Sequence, residues 1–208
     1  MPAAGEPTVT LLLRHGQTEM SVQKRYAGRS DVPLTETGVR QVVAAAKRLA
    51  SAGLSVIVSS PLQRAVQTAQ EVAAATGAAV VTDEGFRETD FGAWEGLTFA
   101  EVRERWPGEV TTWLADPAVA PPGGESFAEV SNRVTEALHR VLAGHPRQRV
   151  LIVSHVTPIK TLVAQALLAP PPALYRMHLD VAALCEIDWY PDGPAVLRSF
   201  NDTAHLTG

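Results

Sequence analysis

The sequence contains little of what would place it in several common protein classes. It has a single cysteine, Cys185, so it cannot form an internal disulfide. No apolar run approaches the roughly 18 residues of a membrane-spanning helix, and no basic and then hydrophobic leader begins the chain. The net charge is -4, and the 18 Lys and Arg residues are scattered rather than gathered in a basic stripe. These absences argue against membrane and nucleic-acid-binding proteins and predict an unprocessed cytoplasmic protein.

The one cysteine is also a poor candidate for catalysis. It follows the apolar residues 181–184, where a small buried thiol is the ordinary occupant. Cysteine phosphatases need a cationic loop just after the nucleophile, and residues 186–191 contain no arginine. Cysteine-based phosphatase chemistry is therefore not expected.

Length and composition predict one domain. The chain has 208 residues, of which 46% are hydrophobic, enough to fill a sizeable core. Residues 1–7 are small and turn-forming, and predict a disordered tail or linker before a domain over 8–208. Residues 83–124 are irregular and rich in Gly, Pro and Trp, so we expect an insertion that forms part of the substrate pocket.

The periodicity elsewhere alternates between strand and helix, which predicts an α/β protein with a largely parallel sheet and right-handed crossovers. Thr35 is expected to cap the first long helix, Pro61 to open the next, and a Pro-Asp-Gly-Pro turn at 191–194 to close a terminal hairpin. Strands are predicted at 8–13, 54–59, 79–82, 150–153, 181–189 and 195–200, and helices at 35–53, 61–73, 126–142 and 156–168, with helical patches over 98–106.

Two of the predicted strands end in a histidine. Val9–Leu13 is followed by Arg14, His15 and Gly16, and the strand at 150–153 is followed by Ser154 and His155. The carboxyl ends of parallel strands meet at one edge of a sheet, which is where such folds bind ligands. A guanidinium binds phosphate bidentately, a glycine permits close approach to the backbone, and a neutral imidazole can accept a phosphoryl group. This pattern predicts an oxyanion site.

Two further residues complete the chemistry of phosphoryl transfer. Arg64 lies in the first turns of a helix that begins at the same edge, so its cation can join Arg14 and His155 around a phosphate. Glu88 follows the third strand among aromatic residues, and a desolvated carboxyl can protonate an alkoxide leaving group. Phosphoryl transfer needs chiefly positioning and charge neutralisation, which these residues supply without a metal ion.

In this order along the chain, these motifs resemble the histidine phosphatase superfamily, also called phosphoglycerate mutase-like, over nearly all of residues 8–200. The resemblance implies a three-layer α/β/α sandwich with a mostly parallel sheet of about six strands. The motifs that carry it are Arg14-His15-Gly16, Arg25 with Gly28, the loop 31–38, Ser59-Ser60-Pro61 with Arg64, Glu88 with the segment 91–96, Gly124-Glu125-Ser126, and Ser154-His155.

The resemblance also implies a role for each site residue. His15 is the nucleophile that forms a phosphohistidine, while Arg14, Arg64 and His155 hold the phosphoryl oxygens. Glu88 is the proton donor and then the base for the hydrolytic water. No cofactor and no metal are implied, and the expected ligand is a small phosphorylated substrate. Further substrate-binding positions are Gly16, Gln17, Thr18, Ser21, Arg25, Gly28 and Val156.

Two departures from the family pattern concern the phosphate pocket. Ser21 stands where the family often has Asn, and Val156-Thr157 replaces a Gly pair after the second histidine. Within the family the chain looks most like the actinobacterial acid phosphatase or α-ribazole phosphatase domain, which can follow a ribonuclease H domain. An N-terminal ribonuclease H domain in a longer native chain and a homodimer are therefore candidate partners.

Two other functions remain open on sequence grounds. A phosphoglycerate mutase would use the same pocket, and a catalytically silent module would merely recognise a phosphorylated partner. The remaining motif residues have structural explanations: Glu125 and Ser126 can cap the helix that follows, and the tryptophans at 94, 106 and 113 can pack the insertion, with Trp94 the best placed of them to touch substrate. The histidines at 139, 145, 178 and 205 are expected at the surface or in loops.

Overall fold

The computed structural model describes residues 5–207, and its centre is a six-stranded sheet with the order β3-β2-β4-β1-β5-β6. Strands β3, β2, β4 and β1 run parallel to one another, while β5 and β6 are antiparallel to their neighbours. The predicted mostly parallel sheet of about six strands is confirmed. The strands are β1 Thr8–Arg14, β2 Val56–Ser59, β3 Val80–Thr82, β4 Arg149–Ser154, β5 Leu184–Trp189 and β6 Ala195–Asp202.

Helices cover both faces of this sheet. The α-helices are α1 Glu19–Val22, α2 Glu36–Leu49, α3 Gln63–Thr76, α4 Phe99–Arg105, α5 Pro107–Ala115, α6 Phe127–Gly144 and α7 Val156–Ala166. Alternate residues of β1 face opposite layers: Leu12 packs in a core with α6 and α7, whereas Leu11 and Leu13 pack in a core with α2 and α3. A strand buried on both faces explains the continuous apolar runs in the sequence.

The register of the central strands brings the two histidines together. β1 pairs with β4 in parallel so that Leu13 lies beside Val153 and Arg14 beside Ser154. The pairing continues one step further, where the backbone N–H of His15 donates to the carbonyl oxygen of Ser154 at 3.1 Å. His15 and His155 therefore leave adjacent strands at the same edge, as the sequence predicts.

Two element boundaries differ from the predictions, and one predicted cap is confirmed. α3 begins at Gln63 rather than at Pro61, because the Oγ of Ser60 accepts the N–H of Leu62 in a turn before the helix. β5 begins at Leu184 rather than at 181, because Ala182 is left-handed with φ 54°. Thr35 does cap α2, accepting the N–H of Gly38 at 3.0 Å.

The region from 83 to 124 is not merely irregular, since it contains α4 and α5 and has a small core of its own. Phe91, Trp94 and Trp113 pack there with Phe127 from α6. The Trp94 and Trp113 rings meet edge to face with centroids 5.3 Å apart, a favourable aromatic geometry. This core holds the segment against the sheet edge that carries the two histidines.

Three further sequence features can be compared with the structure: the first residues, Cys185 and the lack of a long apolar run. Residues 5–7 precede β1 without regular structure, and residues 1–4, the rest of the predicted tail, lie outside the described residues. Cys185 is buried in the core, and burial raises the pKa of its thiol to about 11, as expected for an inert thiol. No helix within 5–207 has both the length and the apolar character needed to cross a bilayer.

Candidate active site

His15 lies directly after β1 with a side chain prepared to act as a nucleophile. Its Nδ1 is 2.8 Å from the carbonyl oxygen of Gly16. Because a carbonyl can only accept, Nδ1 carries the hydrogen and Nε2 keeps its lone pair. Burial, reinforced by the charges of Arg64 and Arg14, holds the pKa of His15 well below its usual value. The imidazole is therefore neutral at pH 7 and its free nitrogen is Nε2.

His155 stands beside it, completely buried, with the two ring centroids 5.1 Å apart. Its Nε2 shares a hydrogen bond of 2.7 Å with the hydroxyl of Ser60, while its Nδ1 is buried without a partner in the described chain. Burial and then the charge of Arg64 hold the pKa of His155 well below its usual value. His155 is thus neutral and has one nitrogen left for a ligand.

Arg64 supplies a cation from the first turn of α3, where it is 1% exposed. Its Nη1 donates to the carbonyl of Ser30 at 2.7 Å, and its Nη2 donates to the carbonyls of Ala27 at 2.8 Å and Gly28 at 3.3 Å. Its buried Nε has no partner in the described chain. The loop carbonyls fix the guanidinium in place, and its charge remains available to an anion.

Arg14 is the second cation and belongs to β1 itself. Its Nη1 donates to the carbonyl of Leu179 at 2.6 Å, and its Nε is buried and unpartnered among the described residues. Burial lowers the pKa of Arg14 to about 10, so it is still charged at neutral pH. Within residues 5–207 neither Arg14 nor Arg64 has a carboxylate at ion-pair distance. Two cations, each with a buried Nε–H that is unpartnered among those residues, form a strong site for a phosphate dianion.

Glu88 reaches the same place from the segment after β3. One of its carboxyl oxygens accepts the N–H of Thr89 at 2.8 Å and the other that of Val156 at 3.1 Å. The N–H of Thr157 points to the same group at 3.3 Å. The carboxyl is thus held at the N-terminus of α7, next to His155. These contacts hold the carboxyl of Glu88 in one orientation, as a group that transfers protons in general acid–base catalysis requires.

Arg133 of α6 holds the segment that carries Glu88. Its guanidinium donates to the carbonyls of Gly85 and Arg87 at 2.8 Å and to that of Glu88 at 3.0 Å, and it forms an ion pair with Glu125 at 2.7 Å. Glu125 therefore has an ion-pairing role in place of the predicted capping role. Of Glu125 and Ser126, only Ser126 caps α6, because its hydroxyl oxygen accepts the N–H of residue 129 at 3.2 Å.

A cavity of about 300 Å³ opens in front of His15, Arg14 and Glu88. Among the predicted substrate-binding residues, Thr18, Ser21, Arg25 and Val156 line it as well. Arg64 and His155 lie behind this wall, at 1% and 0% exposure. The residues predicted to be catalytic are thus brought to one place, with Arg14, His15 and Glu88 lining the cavity and Arg64 and His155 buried nearby.

Three of the predicted substrate-binding positions face elsewhere. A Cβ on Gly16 would lie 2.6 Å from the carbonyl oxygen of Gly38, so this glycine is needed for close packing against α2 rather than for approach of a ligand. The side chain of Gln17 accepts the hydroxyl of Thr35 at 2.9 Å and is turned toward α2. Gly28 places its carbonyl on Arg64. These positions support the site from behind.

The polar lining residues Thr18, Ser21 and Arg25 already make contacts within the protein. Thr18 and Ser21 form a reciprocal cap for α1, and the Ser21 hydroxyl donates to the Thr18 carbonyl at 2.7 Å. The one hydrogen-bond donor of the Ser21 side chain is therefore used within α1, whereas the amide of an Asn at this position would have two N–H donors. Arg25 pairs with Glu101 at 2.8 Å.

Sequence reasoning missed most of the outer wall. It is aromatic, with Tyr26, Phe91, Trp113, Phe127 and Tyr175, and it includes one further cation, Lys160. Trp94, the tryptophan considered best placed for substrate, is fully buried, and Trp113 lines the cavity instead. The available signal for Lys160 was its spacing, since it lies four residues after Val156 and thus on the same face of α7.

The remaining histidines lie outside this site. His139 is exposed, His178 contacts Asp180 at 2.9 Å, and His205 contacts the carbonyl of Ala182 at 2.9 Å. Among the side chains of residues 5–207, no three His, Cys, Asp or Glu groups gather in the way that a metal ion would require.

Known proteins are similar to this chain over nearly its whole length. The "Bifunctional protein Rv2228c" of Mycobacterium tuberculosis (strain ATCC 25618 / H37Rv) is 52% identical over 205 residues, which are 98% of this chain but 56% of that protein. The chain thus spans little more than half of that relative. A "Probable phosphoglycerate mutase GpmB" of Proteus mirabilis (strain HI4320) is 37% identical, with 94% of each chain covered.

A solved structure and a family description agree with these relatives. The crystal structure of a phosphoserine phosphatase from Entamoeba histolytica, in complex with 3-phosphoglyceric acid, has a TM-score of 0.86 and 30% identity, and covers 96% of this chain and 99% of that one. The description "Histidine phosphatase superfamily (branch 1)" matches residues 10–203. With these matches and the paired histidines at one sheet edge, the chain belongs to the histidine phosphatase superfamily.

Proposed function

We propose that the chain is a metal-independent phosphomonoesterase that works through a phosphohistidine on His15. The observation that carries this proposal is the state of His15: it is buried and neutral, and its Nδ1 is committed to the Gly16 carbonyl. Its nucleophilic Nε2 therefore needs no base to activate it. Arg14 and Arg64, each with a buried unpartnered Nε, neutralise the charge of the phosphoryl group.

In the first step the Nε2 of His15 attacks phosphorus. A P–N bond forms while the P–O bond to the leaving group breaks, and the departing oxygen takes a proton from Glu88. His155 is neutral, and with its Nε2 accepting the Ser60 hydroxyl its Nδ1 carries the hydrogen and donates to a phosphoryl oxygen. Hydrogen bonds from Arg14, Arg64 and His155 that strengthen as charge develops lower the barrier.

In the second step water resolves the phosphoenzyme. Glu88, now a carboxylate, takes a proton from the water as its oxygen attacks phosphorus. The P–N bond breaks, neutral His15 is regenerated and inorganic phosphate leaves. Because Glu88 is held by the amides of Val156 and Thr157 throughout, one carboxyl group can serve both half-reactions.

An acid pH range follows from the same geometry. His15 is a nucleophile only while it is neutral, and its pKa lies well below the usual value. Activity should therefore persist below pH 6, where an ordinary histidine would be largely protonated. This supports the assignment as an acid phosphatase.

The substrate is a separate question, and α-ribazole phosphate is one candidate that the resemblance suggests. A relative is called a probable phosphoglycerate mutase, so phosphoryl transfer to a second alcohol is the competing reaction of the same pocket. The products distinguish them: a phosphatase releases inorganic phosphate from 3-phosphoglycerate, whereas a mutase yields 2-phosphoglycerate. The N-terminal ribonuclease H domain, the homodimer and the cytoplasmic location remain predictions.

The intermediate can be trapped directly. Enzyme mixed with 32P-labelled substrate and quenched within milliseconds should carry one label that is stable in base and labile in acid, as a phosphohistidine is. His15→Ala should carry no label and lose turnover of para-nitrophenyl phosphate, while the surface control His139→Asn behaves as wild type. Normal turnover by His15→Ala refutes the mechanism, and a wild-type protein without activity on a broad ester panel supports the silent binding module.

A further inference from the structure

Lys160 is an unassigned cation in the wall of the active-site cavity. It lies on α7 one turn after Val156, whose N–H contacts Glu88. Its Nζ donates to the carbonyl of Leu174 at 3.3 Å, which is its one hydrogen bond within residues 5–207. An ammonium has three donors, so two of them remain for a ligand or water.

The other cations of the cavity are already occupied or serve the phosphate. Arg25 is paired with Glu101 at 2.8 Å, and Arg14 lines the cavity directly before His15 in the chain. Lys160 has no carboxylate at ion-pair distance in the described part of the chain. It is therefore the cation that a leaving group would meet.

The surroundings of Lys160 make its charge costly unless an anion lies beside it. Burial lowers the pKa of Lys160, and the charge of Arg14 acts in the same direction, while Glu88 opposes them. Leu174 and the rings of Trp113, Phe127 and Tyr175 belong to the same wall, and the Trp113 and Tyr175 rings are 5.9 Å apart. Such walls lower the local dielectric constant and strengthen any charge pair formed there.

We propose that Lys160 determines specificity by binding a second anionic group on the leaving group of the phosphate ester. The inference rests on the phosphatase function proposed above. It makes phosphate esters of small hydroxy acids better substrates than esters of neutral alcohols. The aromatic wall holds the carbon skeleton between the two charged ends, and a neutral leaving group leaves the ammonium without a partner.

A matched pair of esters isolates this interaction. 3-Phosphoglycerate and glycerol 3-phosphate carry the phosphate on the same primary carbon and differ at the far end, where a carboxylate replaces a hydroxymethyl group. The quantity to measure is the ratio of their kcat/KM values. The wild-type enzyme should favour 3-phosphoglycerate, chiefly through KM.

Three variants test the residue. Lys160→Gln keeps an N–H donor for the Leu174 carbonyl but removes the charge, and should lower the ratio by about tenfold to 100-fold, the range for a charge-assisted hydrogen bond. Lys160→Arg should restore most of the preference. Lys47→Gln removes the same charge from an exposed position on α2 and should leave the ratio at its wild-type value.

Binding to the inactive His15→Ala protein makes the test independent of turnover. The two esters should differ in Kd, and the difference should disappear in the His15→Ala, Lys160→Gln double variant. A wild-type ratio near one, or a ratio that Lys160→Gln leaves intact, overturns the role of Lys160 while the phosphatase proposal stands. If no ester is hydrolysed at all, the phosphatase proposal fails and the binding difference still decides the role of Lys160.

Discussion

The two buried histidines make folding stability depend on pH in a range where few other groups titrate. His15 and His155 are neutral in the folded protein, with pKa values well below the ordinary value. In the unfolded chain each returns to a pKa of about 6.5. The two histidines therefore bind protons in the unfolded state but not in the folded state, and acidification below about pH 6.5 favours unfolding.

The size of the effect follows from proton linkage. A histidine that stays neutral when folded costs about 1.2 kcal/mol between pH 7 and pH 5.5 if it titrates at about 6.5 when unfolded. The pair should thus lower the free energy of unfolding by about 2.5 kcal/mol over that interval. Carboxylates with lowered pKa, such as Asp202 at about 2, lose their contribution only at lower pH. His205 also has a lowered pKa but is partly exposed and contributes less.

Urea unfolding at half-unit steps from pH 5.5 to 7 measures this slope. His15→Asn and His155→Asn should each remove about half of it, whereas exposed His139→Asn should leave it unchanged. The variants need not match wild type in absolute stability, because the slope alone is compared. If both active-site variants keep the full wild-type slope, the buried imidazoles are not the groups that remain neutral and the account of His15 is wrong.

Three further variants probe the support of the site. Glu88→Gln should lower kcat about 100-fold or more for alkyl esters and much less for para-nitrophenyl phosphate, and equal losses in steady-state assays contradict its role as acid. Gly16→Ala should lower the free energy of unfolding in urea by about 1–3 kcal/mol, because the added Cβ would lie 2.6 Å from a backbone oxygen. In the control Gly144→Ala the Cβ meets nothing within 4 Å, and the free energy of unfolding should stay within about 0.5 kcal/mol of wild type. Ser60→Ala removes the 2.7 Å partner of His155 and should lower kcat roughly two- to tenfold, and an unchanged kcat argues against positioning by Ser60.

Much of the fold was readable because its signals are local. Strands β1 and β4 are buried on both faces, so they appear as apolar runs, and polar residues mark the end of each. Thr35 and Ser126 mark helix starts, because each side chain caps its helix by accepting the N–H of the residue three positions later. α5 was missed because it directly follows α4, and Trp106 ends one helix and precedes the other.

The sequence by itself predicted the residues proposed for phosphate binding, because Arg14, His15, Arg64 and His155 stand at or beside an element boundary and Glu88 follows the third strand. Only the tertiary structure decided which face of each residue meets the ligand. It turned Gln17 toward α2, buried Trp94 and brought Lys160 with the aromatic rings around one cavity. The cavity is lined by residues of α1, α5, α6 and α7, which are far apart in the chain. A local sequence pattern predicts a helix or strand but not which distant residues come into contact.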